Sequence, residues 1–449
     1  MNRLRILGCF VFAVTQFVVL THAQESAFNK AEFTARRAKL FEQISDGVAV
    51  VFAAEEPGAA PVKFRQSPDF YYLTGVEEPN AVAVFTGANK KTFIFANKKT
   101  KREIQFEGPG LLDSDNAKAR YGVDDILPLE QINAYFGSVF GDARHLYLPV
   151  SLEDNLQQSR GEVRTAEGRR MAHPVYRQVS SLRMAIDNVR QLAPHVPVID
   201  IGPILAKMRV VKSSYEIERM RKAAAIGVES VKEAIKGTHP GQYEYEVEAR
   251  ARYFTTKSGA GMGFTPIVAS GPNTTALHYE QNNRKTEAGD VMLIDFGADY
   301  DYYVSDITRT WPVSGKFTPE EEKMYACVLD ASDTVIAMMK PGVTLKNMQD
   351  VAYGIYKKHG FEKEFEEDGR YIGHYVGLSV HDVNPGLDVP LQAGATFNVE
   401  PLLTIESKKI HMRLEDSVLV TATGAENLTA GAPRKLNEIY ALIKEKGLN

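Results

Sequence analysis

Apolar runs of strand length alternate with amphipathic stretches through the first half of the chain. "FTARRAKLFEQI" (33–44) reads as a short helix, and it leads into "GVAVVFAA" (47–54), a continuous apolar run typical of a buried strand. Similar runs follow at "AVAVFTG" (81–87), "KTFIFAN" (91–97) and "HLYLPV" (145–150), with helical stretches such as "SSLRMAIDNVRQLA" (180–193) between or after them. Strands alternating with helices predict an α/β domain up to about residue 200. The pattern then changes. In "KSSYEIERMRKAAAIGVESVKEAIKG" (212–237), Ser213 is an N-cap with Glu216 three residues later, and apolar residues recur at 217, 220, 224, 228, 231 and 235. This is a capping box opening an amphipathic helix that ends before Gly237. A second domain is therefore expected from near residue 203. Its remainder mixes helices (319–340, 344–360) with hairpin-like β-segments and reads as α+β.

Length and composition agree with two folded domains, since 449 residues at 44% hydrophobic exceed one ordinary core. The N-terminus changes the picture of where they work. Arg3 and Arg5 precede an apolar run from Ile6 to Leu20, and small residues stand at Thr21 and Ala23. That order predicts a secretory signal peptide over 1–23, cut after Ala23, and hence an exported, periplasmic or secreted protein. The run is shorter than the roughly 20 residues that span a bilayer, so no stable membrane insertion is expected after cleavage. Losing Arg3 and Arg5 takes the formal charge from −4 to −6. No basic tract points to nucleic acid. Cys9 leaves with the signal, so Cys327 has no intrachain partner and reads as a small buried apolar residue. Nothing in the pattern excludes a homo-oligomer.

The candidate chemistry lies in two acidic hairpins. In "VMLIDFGADYDYYVSDITRT" (291–310), a turn at Tyr300 and Asp301 places Asp295 directly across from Asp306. In "FNVEPLLTIESKKIHMRLEDSVLV" (397–420), a turn at Ser407 and Lys408 does the same for Glu400 and Glu415. Opposed like charges on one sheet face destabilise a hairpin, so something must neutralise them. Between the two lies "RYIGHYVGLSVHD", with His374 and His381. Four carboxylates and one imidazole would be close to neutral with two divalent cations; oxygen-rich ligation with one nitrogen suits manganese, iron, cobalt or zinc. Without metal, desolvation and repulsion would leave the carboxyls partly protonated.

These motifs resemble the pita-bread metallopeptidases, specifically the aminopeptidase P family that acts on Xaa-Pro peptides, with prolidase as a close relative. "LIDFGADYDYYVSDITRTWPVSGKFT", "GHYVGLSVHD", "VEP" and "MRLEDSVLVT" look like that family's ligand motifs in order, and "FRQSPDFYYLTGVEEPNAV" resembles its N-terminal domain signature. The resemblance implies an α/β N-terminal domain over 24–202 and an α+β pita-bread catalytic domain over 203–449. It implies that Asp295, Asp306, His374, Glu400 and Glu415 bind two metal ions, most simply Mn2+, with Asp306 and Glu415 bridging. His278 in "ALHYEQN" and His381 would contact substrate or the tetrahedral intermediate. Arg413 shares a strand face with Glu415 and is placed to fix a carboxylate. The implied activity is hydrolysis of the bond between an N-terminal residue and a following proline. Three positions depart from the family pattern. Arg370 stands where the family usually has histidine, and it could clamp a substrate carboxylate, as a prolidase-like Xaa-Pro dipeptidase would need, or pair with nearby acids. Leu402 and Thr404 also depart. A non-catalytic binding module of the same fold is the contrasting class, but such members lose ligands and this chain keeps all five.

Overall fold

The computed structural model describes residues 28–57, 63–150 and 160–448, so the expected signal segment lies outside the described residues. In the N-terminal half the apolar runs become strands of one six-stranded sheet, ordered 125–128, 91–96, 82–86, 47–52, 145–148 and 198–200. The central strand Gly47–Phe52 pairs antiparallel with Val82–Thr86 and parallel with His145–Leu148. Its run is continuously apolar because both faces are covered, as in any two-sided sheet. Ala49 and Val51 face a cluster containing Phe33 and Leu40 of the helix Lys30–Gln43. Val48 and Val50 face the other way, toward Ile186 and Val189 of the helix Ser181–Leu192. This is the two-residue alternation of a strand, with a different core on each side.

The long helix of the second half spans Ser214–Ile235. Glu216 N donates to Ser213 Oγ at 3.3 Å and Ser213 N to Glu216 Oε2 at 2.9 Å, so the capping box forms as expected. The helix ends two residues before Gly237, whose φ of +65 few other residues adopt comfortably. It packs with the helices Glu244–Lys257, Pro319–Met338 and Leu345–His359 around strands of two sheets. One sheet joins Ile267–Ser270, Val291–Phe296 and Ile307–Pro312; the other joins Gly373–Tyr375, Thr396–Val399, Asp416–Val420 and Ala425–Asn427. Val228, Met324, Val335 and Met348 from the helices share one apolar core with Met292, Ile294, Val399 and Leu403 from the strands. Cys327 is buried in that core, as expected of a small apolar side chain. This α/β domain followed by an α+β pita-bread domain is the expected architecture. Among the described residues, no helix is long and apolar enough to cross a membrane.

The two acidic hairpins differ in register. The second keeps the expected pairing: Leu402 lies opposite Arg413 and Val399 opposite Asp416, so Glu400 and Glu415 face one another directly. The first corrects the expectation. Asp295 pairs with Thr308, not with Asp306, and the turn residues are Asp301 and Tyr302. Both have positive φ, 52 and 73, the mirror-image turn that suits a twisted hairpin. Partners outside the hairpin hold this turn: Arg219 Nε donates to Asp301 Oδ2 at 2.6 Å, and the Tyr302 ring stacks on Tyr71 at 3.6 Å. The register moves by two residues, so no side chain changes face, and Asp306 becomes the diagonal neighbour of Asp295.

Candidate metal centre

Strand geometry brings three separate parts of the chain to one point. Asp306 Oδ2 and Glu415 Oε1 each lie 3.4 Å from His374 Nε2, and Glu400 Oε2 lies 3.7 Å from it. His374 Nδ1 donates to Tyr375 O at 3.1 Å, which fixes the tautomer and leaves Nε2 facing the carboxylates. Asp306, His374 and Glu415 each offer a ligand atom within 4.8 Å of the others. Arg413 orients the rest. Its Nη2 donates to Asp295 Oδ2 at 2.7 Å, its Nη1 lies 3.3 Å from Glu400 Oε1, and its Nε donates to Thr308 Oγ1 at 3.1 Å. Thr308 Oγ1 in turn donates to Glu415 Oε2 at 2.7 Å. Behind them Arg309, wholly buried, donates to Glu415 O and to Asp416 Oδ1, both at 2.7 Å, and so ties the two hairpins together.

The charges do not balance within the protein. Burial, with Glu415 and Asp295 beside it, pushes the Asp306 carboxyl well above the usual range. Burial also raises Asp295 against the pull of Arg413, and burial with Glu415 alongside raises Glu400 to about 8. Burial would raise Glu415 too, but the hydrogen bond from His374 and the Arg413 charge outweigh it and hold that carboxyl at about 2. Burial opposes a charge on His374, yet Asp306 and Glu415 raise it well above the ordinary histidine value. Glu415 is thus the most readily ionised of these carboxyls, and burial biases its acidic neighbours toward the protonated form, a bias that a cation would oppose. Asp295 Oδ1 and Asp306 Oδ1 are buried with no hydrogen-bond partner, although most buried polar atoms have one. Oxygen-rich donors, one imidazole nitrogen and orphaned carboxylate oxygens fit hard or borderline divalent ions.

These residues line a cavity of about 430 Å3 together with His278, His381 and Arg413. The His381 ring stands perpendicular to His374 at 4.4 Å between centroids, and 6.4 Å from His278. Phe264, Ile267, Leu277, Val380 and Leu402 supply an apolar wall. A larger cavity of about 740 Å3 lies in the N-terminal half, but no residue of this centre lines it.

Two family models match the chain. "Metallopeptidase family M24" covers residues 218–422 and "Aminopeptidase P, N-terminal domain" covers 33–147. The chain belongs to metallopeptidase family M24. It is 31% identical to the Xaa-Pro aminopeptidase of Escherichia coli strain K12 over 93% of its own length and 98% of that protein's. It is 29% identical to the mitochondrial intermediate cleaving peptidase 55 of Arabidopsis thaliana, over 92% and 82%. A solved structure of E. coli aminopeptidase P with the inhibitor Pro-Leu matches with a TM-score of 0.78 at 28% identity, covering 93% of this chain and 99% of that one. The protein is therefore an enzyme, an M24 metallopeptidase of the aminopeptidase P type.

Within this M24 centre the structure gathers eight of the nine candidate site residues singled out in the sequence, among them Arg413, which engages Asp295. The exception is Arg370. It is absent from the cavity lining: its Nη2 donates to Glu366 Oε1 at 2.8 Å and its guanidinium lies 4.2 Å from the Tyr353 ring centroid. The local acid and the aromatic face hold it there, which is the pairing with nearby acids that the sequence offered as the alternative to a carboxylate clamp. Of the other departures, Leu402 lines the cavity and Thr404 Oγ1 lies 2.9 Å from His411 Nδ1. Sequence reasoning missed Tyr371, which donates to Glu400 Oε2 at 2.8 Å, and Asn398, which donates to Glu415 Oε1 at 3.1 Å. Asn398 had a legible signal, two residues before Glu400 on the same strand face. Tyr371 had none, since it reaches Glu400 from outside that hairpin.

Proposed function

We propose that this M24 enzyme is an exported dinuclear metallo-aminopeptidase that removes the first residue from peptides with proline second. Asp295, Asp306, His374, Glu400 and Glu415 would hold two divalent ions, Mn2+ foremost, with Asp306 and Glu415 shared between them. The observation that carries this reading is the pair of buried, unpartnered oxygens of Asp295 and Asp306 among carboxyls the protein cannot neutralise. Such ions, when bound, supply Lewis-acid polarisation of the scissile carbonyl and activation of water at neutral pH.

The chain's own residues do the rest. Arg413 and Thr308 hold the carboxylates in register, and Tyr371 orients Glu400. His278 and His381 are placed to donate hydrogen bonds to the oxyanion as it develops. The apolar wall suits a proline ring, whose imide lacks an N–H. Arg370 is engaged by Glu366, which speaks against a carboxylate clamp there and so against the dipeptidase alternative. The test is metal content beside turnover. Parent protein should carry two equivalents of divalent metal, and Asp306→Ala or Glu415→Ala should lose both metal and activity. Full turnover by either variant after thorough chelation excludes the dinuclear assignment.

A further inference from the structure

The short segment joining His374 to His381 is bedded in the other half of the molecule. Val376 and Leu378 are buried in the apolar cluster that contains Phe33, Phe70 and Tyr71. Arg65 of the N-terminal half donates to Leu378 O at 2.9 Å, and Val304 N donates to Gly377 O at 2.9 Å. The residue after His381 is the most constrained of all. Asp382 has a side chain 1% exposed, accepts a hydrogen bond from Arg209 Nη2 and lies 3.3 Å from Lys212 Nζ. Arg209 Nη1 donates to Asp69 Oδ1 at 2.8 Å, on the helix Pro68–Thr74 of the N-terminal half. The Asp382 carboxylate lies so close across the turn that a Cβ on Gly377 would collide with its Oδ2.

Two acids and two bases make this cluster neutral and paired. A buried ion cluster of this kind contributes little net stability over apolar packing, but it does fix the geometry of what it joins. What it joins is the N-terminal half and the backbone of His381. Asp382 itself does not line the cavity, so it does not touch the reacting atoms.

We propose that Asp382, held by Arg209 and Lys212 and braced through Arg209 on Asp69, is the positioning residue for His381. The N-terminal half thereby sets where the His381 ring stands beside His374. The inference rests on the reading of His381 as a donor to the oxyanion, and the test separates the two. Turnover of an Xaa-Pro-Xaa peptide and bound metal are measured for full-length Asp382→Asn, His381→Ala and the double variant. Asp382→Asn should lower kcat by roughly 10- to 100-fold, the scale of a small misplacement, with KM and metal content little changed. In the His381→Ala background the same change should cost less than about twofold, because its route of action is already gone. A merely structural role would multiply the two losses. If His381→Ala turns over like the parent, the reading of His381 fails and this inference with it. If His381→Ala is slow but Asp382→Asn is not, or if the losses multiply, this inference alone fails. Should Asp382→Asn not be recovered folded, Arg209→Lys keeps the buried charge and takes its place in the same cycle, where sub-multiplicative losses support the inference and multiplied losses overturn it.

Discussion

At the scale of single residues, two side chains of the site carry opposite tasks, and each can be tested without disturbing the other. His381 stands against His374 at the cavity wall without belonging to the carboxylate cluster. Replacing it with alanine should lower kcat by about 10²-fold, the usual scale for losing an oxyanion donor, while bound metal stays at the parent level. Loss of metal along with rate would make it a ligand instead. Glu400 governs a pH effect. Its carboxyl moves from the ordinary value of 4.5 to about 8 in the folded, metal-free protein, chiefly through burial. Between those values the folded state holds a proton that the unfolded state has lost, so stability falls as pH rises through that window. The thermal midpoint of metal-stripped protein should therefore drop from pH 5 to pH 8. Added divalent metal should restore it most at the higher pH, where it no longer competes with the proton. A midpoint that rises over that range would exclude this account.

At the scale of elements, the turn of the first acidic hairpin decides which carboxylates meet. Asp301 sits at φ 52, where a β-branched residue is strained, and its carboxylate accepts from Arg219. Asp301→Val should cost about 1–2 kcal/mol in urea unfolding from backbone strain alone, with the lost ion pair adding to it. Asp301→Asn, which tolerates positive φ, should cost clearly less. Equal losses in the two variants would mean that the positive φ at 301 adds no strain of its own beyond the lost Arg219 pairing.

At the scale of the whole molecule, two expectations concern what enters the site and where the protein resides. Arg370 is occupied by Glu366 and Tyr353, away from the cavity. Xaa-Pro-Xaa tripeptides should then outpace Xaa-Pro dipeptides, and Arg370→Ala should shift that ratio by less than about threefold, the scale of a weak surface pairing. A dipeptide preference that vanishes in the variant would restore the clamp. The basic, apolar and small-residue order over 1–23 supports export. Intact mass of natively produced protein should begin at Gln24, and a cytoplasmic chain still carrying Met1 would refute this.

What was legible in the sequence was whatever depends on near neighbours. The Ser213–Glu216 capping box, the apolar strands at 47–54 and 81–97 and the mirror pairing of Glu400 with Glu415 all follow from residues within one element or one hairpin. The residues that gather at the site were legible too, because the hairpin and histidine motifs that carry them can be read without knowledge of contacts. Tertiary structure decided the rest. The first hairpin turns at Asp301 and Tyr302 because Arg219 and Tyr71, distant in sequence, engage those two residues. Arg370 leaves the cavity because Tyr353 and Glu366 offer it a nearer home. Tyr371 and the Asp69–Arg209–Asp382 chain became visible only once elements from both halves had packed together. Local hydrogen bonding and side-chain periodicity are written in adjacent positions, whereas a charge or ring commits to its partner only when the fold has fixed which of several competing neighbours lies within reach.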